Sequence, residues 1–131
     1  MRRIIVLVSV ILVSVFGCKG LSTQKDIANV PVASASELVD TSDNLQLIDV
    51  RTPEEYEAGH LQGATNIDFF SDSFREEIEK LDKHKPVLVY CKSGGRSSKS
   101  AAIFKELGFT KIYNMEGGIT SWSEAGYKTV K

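Results

Sequence analysis
Pro86-Val87-Leu88-Val89-Tyr90 is an unbroken apolar run with no polar face to offer to water. A strand of that kind is buried on both sides, which points to a parallel sheet covered by helices. The residues after it narrow the choice. Cys91-Lys92-Ser93-Gly94-Gly95-Arg96-Ser97 is a short loop containing two glycines, and Ser97 to Leu107 reads as a helix. Ile103, Phe104 and Leu107 form the apolar side of that helix, and Gly108 is placed to end it. Strand, glycine-containing loop and helix is the arrangement that aims backbone N–H groups at an anion. Here the first loop residue is a cysteine. A thiol at a helix N-terminus beside an arginine is expected to have a lowered pKa, and the thiolate is the nucleophile. Cys91 is therefore the candidate catalytic residue.

The remaining chain repeats the alternation of strand and helix. Val30-Pro31-Val32 reads as a short edge strand, because proline removes a ladder donor. Ser34 or Ser36 is placed to cap a short helix carrying Leu38 and Val39. Leu45 to Val50 is a second strand apolar enough to be buried on both faces, and it leads into Asp49-Val50-Arg51. Thr52-Pro53-Glu54-Glu55 has the marks of a helix start: a threonine cap, proline at the first helical position and acids in the first turn. Thr52 and Glu55 have capping-box spacing, and the helix is expected to stop near Gly59. Ala64 to Ile67 and Lys111 to Met115 read as further strands, Phe74 to Leu81 as a helix, and Gly117-Gly118 as the opening of a last short helix containing Trp122. The fold class is α/β, with a mainly parallel central sheet flanked by helices. In such sheets the working site lies beyond the C-terminal ends of the strands, where Cys91, Asp49 and Arg51 all fall.

The N-terminal residues read differently. Met1-Arg2-Arg3 is a short basic segment, and the thirteen residues Ile4 to Phe16 are apolar except for Ser9 and Ser14. That length suits the core of a signal peptide and is short for a membrane span. Val15-Phe16-Gly17-Cys18 resembles a bacterial lipobox. The resemblance implies cleavage before Cys18 and lipidation of that residue; the other reading is an uncleaved signal anchor with Cys18 a bystander. Residues 1–17 are thus read as a lipoprotein signal peptide, 18–29 as a lipidated polar tether and 30–131 as the globular domain. Either reading puts the domain at a membrane in the cell envelope, outside the cytoplasm and on the outer side of the inner membrane; the lipoprotein reading leaves the periplasm-facing inner or outer membrane as its place. Several acyl chains together anchor a protein stably, where one binds only marginally. Without residues 1–17 the chain has 14 basic and 17 acidic residues, so lipid and not charge would hold it to anionic head groups. Scattered lysines and arginines give no nucleic-acid footprint, and two cysteines are too few for a disulfide scaffold.

Three stretches together resemble single-domain rhodaneses. They are Leu47-Ile48-Asp49-Val50-Arg51 with Pro53-Glu54-Glu55-Tyr56 and Gly59-His60-Leu61-Gln62-Gly63-Ala64-Thr65-Asn66-Ile67; the loop Cys91 to Ser97; and Glu116-Gly117-Gly118-Ile119-Thr120-Ser121-Trp122. The resemblance implies a rhodanese fold and sulfurtransferase activity. Cys91 would attack the sulfane sulfur of a donor such as thiosulfate, become a persulfide, and pass the sulfur to a thiol, cyanide or protein acceptor. Lys92, Ser93, Gly94, Gly95, Arg96 and Ser97 would form the substrate-binding loop, with N–H groups around the persulfide. Arg96 has two available roles: contacting the anionic donor, or folding back onto an acid such as Asp49 to brace the loop, which is the role expected here. Asp49 and Arg51 are supporting residues. His60 is expected to orient or cap rather than act as a base. No cofactor or metal is expected, and a monomer is.

Two other functions compete. Phosphatases and arsenate reductases on the same fold place five residues between cysteine and arginine, whereas Lys92-Ser93-Gly94-Gly95 gives four. The smaller loop suits a sulfur atom better than a tetrahedral oxyanion. The second competitor is a non-catalytic or redox-sensing module, in which an envelope thiol of low pKa reports oxidants.

Overall fold
The computed structural model describes residues 27–131. The apolar leader, Cys18 and most of the expected tether lie outside the described residues. Five strands and five helices follow in the order β1 (Ala28–Val30), α1 (Val32–Thr41), β2 (Gln46–Asp49), α2 (Pro53–Ala58), β3 (Thr65–Asn66), α3 (Phe74–Glu79), β4 (Val87–Tyr90), α4 (Gly95–Glu106), β5 (Ile112–Met115) and α5 (Gly118–Glu124). The strands form one sheet in the order β1-β5-β4-β2-β3. Every pairing in it is parallel, with Ile48 opposite Val89 and Val89 opposite Asn114.

The central strand β4 is buried along its whole length, as its apolar run requires. Its side chains alternate between two cores. Val87 and Val89 join Ile48, Phe74, Ile78, Ala101 and Phe104 on the side covered by α3 and α4. Leu88 and Tyr90 join Leu47, Ala35, Met115 and Trp122 on the side covered by α1 and α5. The Trp122 indole N–H donates to the Lys128 carbonyl at 3.0 Å, so its burial leaves no polar atom unpaired. The fold is thus α/β with a fully parallel sheet between two helical layers.

Three boundaries differ from the sequence reading. β1 ends at Val30, and Ala28 and Asn29, assigned above to the tether, are sheet residues. Pro31 does not lie in a strand. It precedes α1 with extended backbone (φ −68°, ψ 161°), and its carbonyl accepts the Ala35 N–H at 3.0 Å. Proline has no N–H to lose at a helix entrance. Ser34 and Ser36 therefore sit within α1 and cap nothing. The helix behind the Cys91 loop starts at Gly95, two residues before Ser97, which puts Arg96 in its first turn. Thr52 does cap α2, accepting the Glu55 N–H at 3.3 Å.

Phe104 is fully buried and meets Phe109 edge to face at 4.8 Å between ring centroids. Phe104→Ala is predicted to destabilise the protein by about 3–5 kcal/mol in urea unfolding; a loss below about 1 kcal/mol would contradict the packing described.

Candidate active site
β4 carries Cys91 to the C-terminal edge of the sheet, and the chain then turns sharply into α4. Gly94 makes that turn at φ 112°, a left-handed conformation that a side chain would strain. The turn brings the Gly94 N–H to 3.1 Å from the Cys91 Sγ. The Ser97 hydroxyl lies 3.4 Å from Sγ and donates to the Gly94 carbonyl at 3.2 Å. A hydroxyl rotor can turn its proton from that carbonyl toward sulfur when the thiol ionises. The residue as a whole is nearly inaccessible, with 1% of its surface exposed. Burial alone raises the thiol pKa. The Ser97 hydroxyl and the N–H groups of Ser97, Gly94 and Ser93 outweigh it, and Cys91 ends below the ordinary value.

The loop's carbonyls point elsewhere. The Cys91 carbonyl accepts the Ile119 N–H at 2.9 Å, and the Lys92 carbonyl accepts the Thr120 N–H at 3.1 Å. Both donors belong to the first turn of α5, whose N–H groups have no partner within their own helix. Gly118 makes the approach possible. A Cβ on it would overlap the Cys91 carbonyl oxygen and the Lys92 carbonyl group.

Arg96 braces the loop, and its partner is Glu55, not Asp49. Its guanidinium binds both Glu55 carboxylate oxygens, at 2.7 and 3.0 Å. Asp49 is already taken: fully buried, it accepts the Arg51 backbone N–H at 2.9 Å and the Arg51 guanidinium at 2.8–3.1 Å. Arg51 spends a further donor on the Gly59 carbonyl at 2.6 Å. Asp49 and Arg51 therefore lock the end of β2 to the end of α2 and touch no reacting atom. The Arg96 hydrogen bonds hold Glu55 at about 2 despite partial burial. Any stability from this pair is present above the ordinary carboxylate range and is lost as pH falls toward that value. Phe70, 67% exposed, lies with its ring 5.8 Å from the Arg96 guanidinium carbon.

Of the residues named from the sequence, Cys91, Ser93, Gly94 and Ser97 converge on the sulfur. Gly95 opens α4, and Lys92 is exposed beside the loop. His60 stacks on Tyr56 at 3.8 Å between centroids and meets the Tyr56 carbonyl through Nδ1 at 2.9 Å, the contacts of an orienting residue. Sequence reasoning missed Glu55, Gly118, Ile119 and Thr120. Glu55 was legible only as a first-turn acid at capping-box spacing from Thr52, and the paired glycines at 117 and 118 were the one sign of a close backbone approach.

In a Cys18→Ser background, the pH midpoint for alkylation of Cys91 is predicted to lie below the roughly 8.5 of a free cysteine. Ser97→Ala is predicted to move it upward; an unchanged or lower midpoint would contradict the role given to the hydroxyl.

The chain matches the family described as rhodanese-like domain over residues 32–125. It is 40% identical over 77 residues to YqhL of Bacillus subtilis, described as uncharacterised, covering 59% of this chain and 60% of that protein. It is 37% identical over 97 residues to the tRNA uridine(34) hydroxylase of Salmonella newport, covering 70% of this chain and 27% of that enzyme. It thus spans about three fifths of one of these relatives and about a quarter of the other. Among solved structures, the 30 kDa polysulfide-sulfur transferase homodimer of Wolinella succinogenes superposes with a TM-score of 0.68 at 29% identity, covering 79% of this chain and 78% of that one. The parallel sheet, the loop built on Cys91 and the match over residues 32–125 agree: the chain belongs to the rhodanese-like family.

Proposed function
We propose that the protein is a sulfurtransferase that moves sulfane sulfur from thiosulfate or a persulfide donor to a thiophilic acceptor through a persulfide on Cys91. The observation that carries this reading is the Gly94 N–H at 3.1 Å from Sγ, inside a loop whose Cys91 and Lys92 carbonyls are tied back to α5. The Cys91 thiolate attacks the outer sulfur of thiosulfate. The donor's S–S bond breaks, its electron pair leaves with sulfite, and the new bond is between Sγ and the transferred sulfur. N–H groups fixed around that position stabilise charge on the sulfur without reorganising. The similarity to a polysulfide-sulfur transferase supports the same chemistry. The four-residue interval between Cys91 and Arg96 supports it over phosphate ester hydrolysis, and so does the engagement of Arg96 with Glu55. An arginine already held by a carboxylate is poorly placed to clamp a phosphoryl group.

Purified protein is predicted to form thiocyanate from thiosulfate and cyanide, to lose that activity to background in Cys91→Ser, and to leave phosphate esters intact. Phosphate release without thiocyanate would overturn the reading.

We further propose that the domain is anchored to the envelope through lipid on Cys18, as a monomer facing the periplasm. The supporting feature is the apolar segment Ile4 to Phe16 ending at Gly17-Cys18. Among the described residues, no helix is long and apolar enough to cross a membrane. Cells expressing the protein are predicted to incorporate labelled palmitate into it, and Cys18→Ser to abolish the label. Equal labelling of the Cys18→Ser protein would contradict lipidation at that residue.

A further inference from the structure
A pocket of about 310 Å³ lies where the ends of β1 and β5 meet the start of α4. Asn29 lines it from β1, Asn114 and Glu116 from the end of β5 and the turn after it, Ser93 and Gly94 from the cysteine loop, and Ser98 from α4. Cys91, Arg96 and Ser97 do not line it, so it neighbours the sulfur site without being part of it. At about 30 Å³ per water-sized unit, it has room for roughly ten non-hydrogen atoms.

Asn114 is the polar residue of an otherwise apolar face. Ile112, two residues earlier in β5, belongs to the core, and Val89 lies opposite Asn114 in β4. Asn114 is 3% exposed. Its Nδ2 donates to the Asn29 Oδ1 at 3.0 Å and to the Ser98 hydroxyl at 3.1 Å. Two oxygens on that side set the orientation of the amide. Its Oδ1 is left buried with no partner among the described residues. A buried acceptor without a donor is a standing cost that an apolar side chain would avoid.

The rest of the lining says which donor fits. Glu116 is exposed, and its backbone is fixed by its N–H on the Val30 carbonyl at 2.9 Å. Its carboxylate makes no ion pair among the described residues. No Lys, Arg or His lines the pocket. An anion would meet the Glu116 carboxylate unopposed. A planar cation with several N–H donors can satisfy an amide oxygen and a carboxylate together. We propose that this pocket binds the guanidinium group of a small organic cation, with its N–H donors on the Asn114 Oδ1 and the Glu116 carboxylate. The site goes beyond the sulfur-transfer reading and needs no persulfide on Cys91.

The test titrates isotopically labelled full-length protein with methylguanidinium chloride and follows amide resonances. Sodium chloride at the same ionic strength is the control, and sodium acetate is the anionic probe. Methylguanidinium is expected to give saturable shifts at the Asn114 side-chain amide and at the Gly94 and Gly117 backbone amides, and neither sodium salt is expected to move them. Glu116→Gln, a change at an exposed side chain, is expected to raise the half-saturating concentration at least threefold, while Glu54→Gln on α2 leaves it unchanged. Asn114→Leu, which keeps the volume and removes the acceptor, is expected to abolish saturation; if that variant does not fold, Glu116→Gln decides. Shifts that grow linearly with methylguanidinium, saturation unaltered by Glu116→Gln, or an equal response to acetate would overturn the site. Each of these outcomes leaves the sulfur-transfer reading standing.

Discussion
The site depends on a separation of backbone polarity. In the loop after β4, the carbonyls of Cys91 and Lys92 face α5 and accept the Ile119 and Thr120 N–H groups at 2.9 and 3.1 Å. The N–H groups on the loop's inner edge are then left to the sulfur, with the Gly94 N–H at 3.1 Å. A carbonyl turned inward would place a negative dipole against a thiolate. The first turn of α5 therefore does two jobs with one set of atoms. It satisfies its own orphan donors, and it fixes the orientation of the peptide units that stabilise charge on Cys91. Gly118 is where this arrangement leaves no room for a side chain.

Two arginine–carboxylate pairs frame the loop, and they are not equivalent. Arg51 and Asp49 are both buried and fix the end of β2. Such a pair contributes little net energy, because desolvation offsets attraction, but losing either partner leaves a buried charge. Arg96 and Glu55 are partly exposed and connect the first turns of α4 and α2. With both arginines engaged, Lys92 is the cation of the loop still open to an anionic ligand. The positive field at the mouth is accordingly modest.

The fold was legible in the sequence because its central strands have to be buried on both faces. The apolar runs at Leu45–Val50 and Pro86–Tyr90 admit few structures other than central parallel strands, and β2 and β4 fall within them as neighbours. Thr52-Pro53-Glu54-Glu55 was equally plain, since cap, proline and first-turn acids are local chemistry. Pro31 was misread because the same missing N–H that marks a strand edge also suits a helix entrance. Cys91 and its loop were visible in the sequence. The partner of Arg96 was not, because Glu55 lies 41 residues away and Asp49, the acid expected in that place, is held by Arg51. The contribution of α5 was hidden for a related reason. Backbone donors carry no side-chain signature, and only the two adjacent glycines hinted at them.

The central claim is that Cys91 holds a sulfur atom taken from a donor's outer position. A single-turnover reaction with thiosulfate labelled at either the outer or the inner sulfur tests it most directly, with the label located by peptide mapping. The proposed sulfur transfer predicts stoichiometric outer-sulfur label on the peptide containing Cys91 and none from the inner sulfur. Label from neither position, with Cys91 recovered as a thiol or carrying only oxygen, would contradict it.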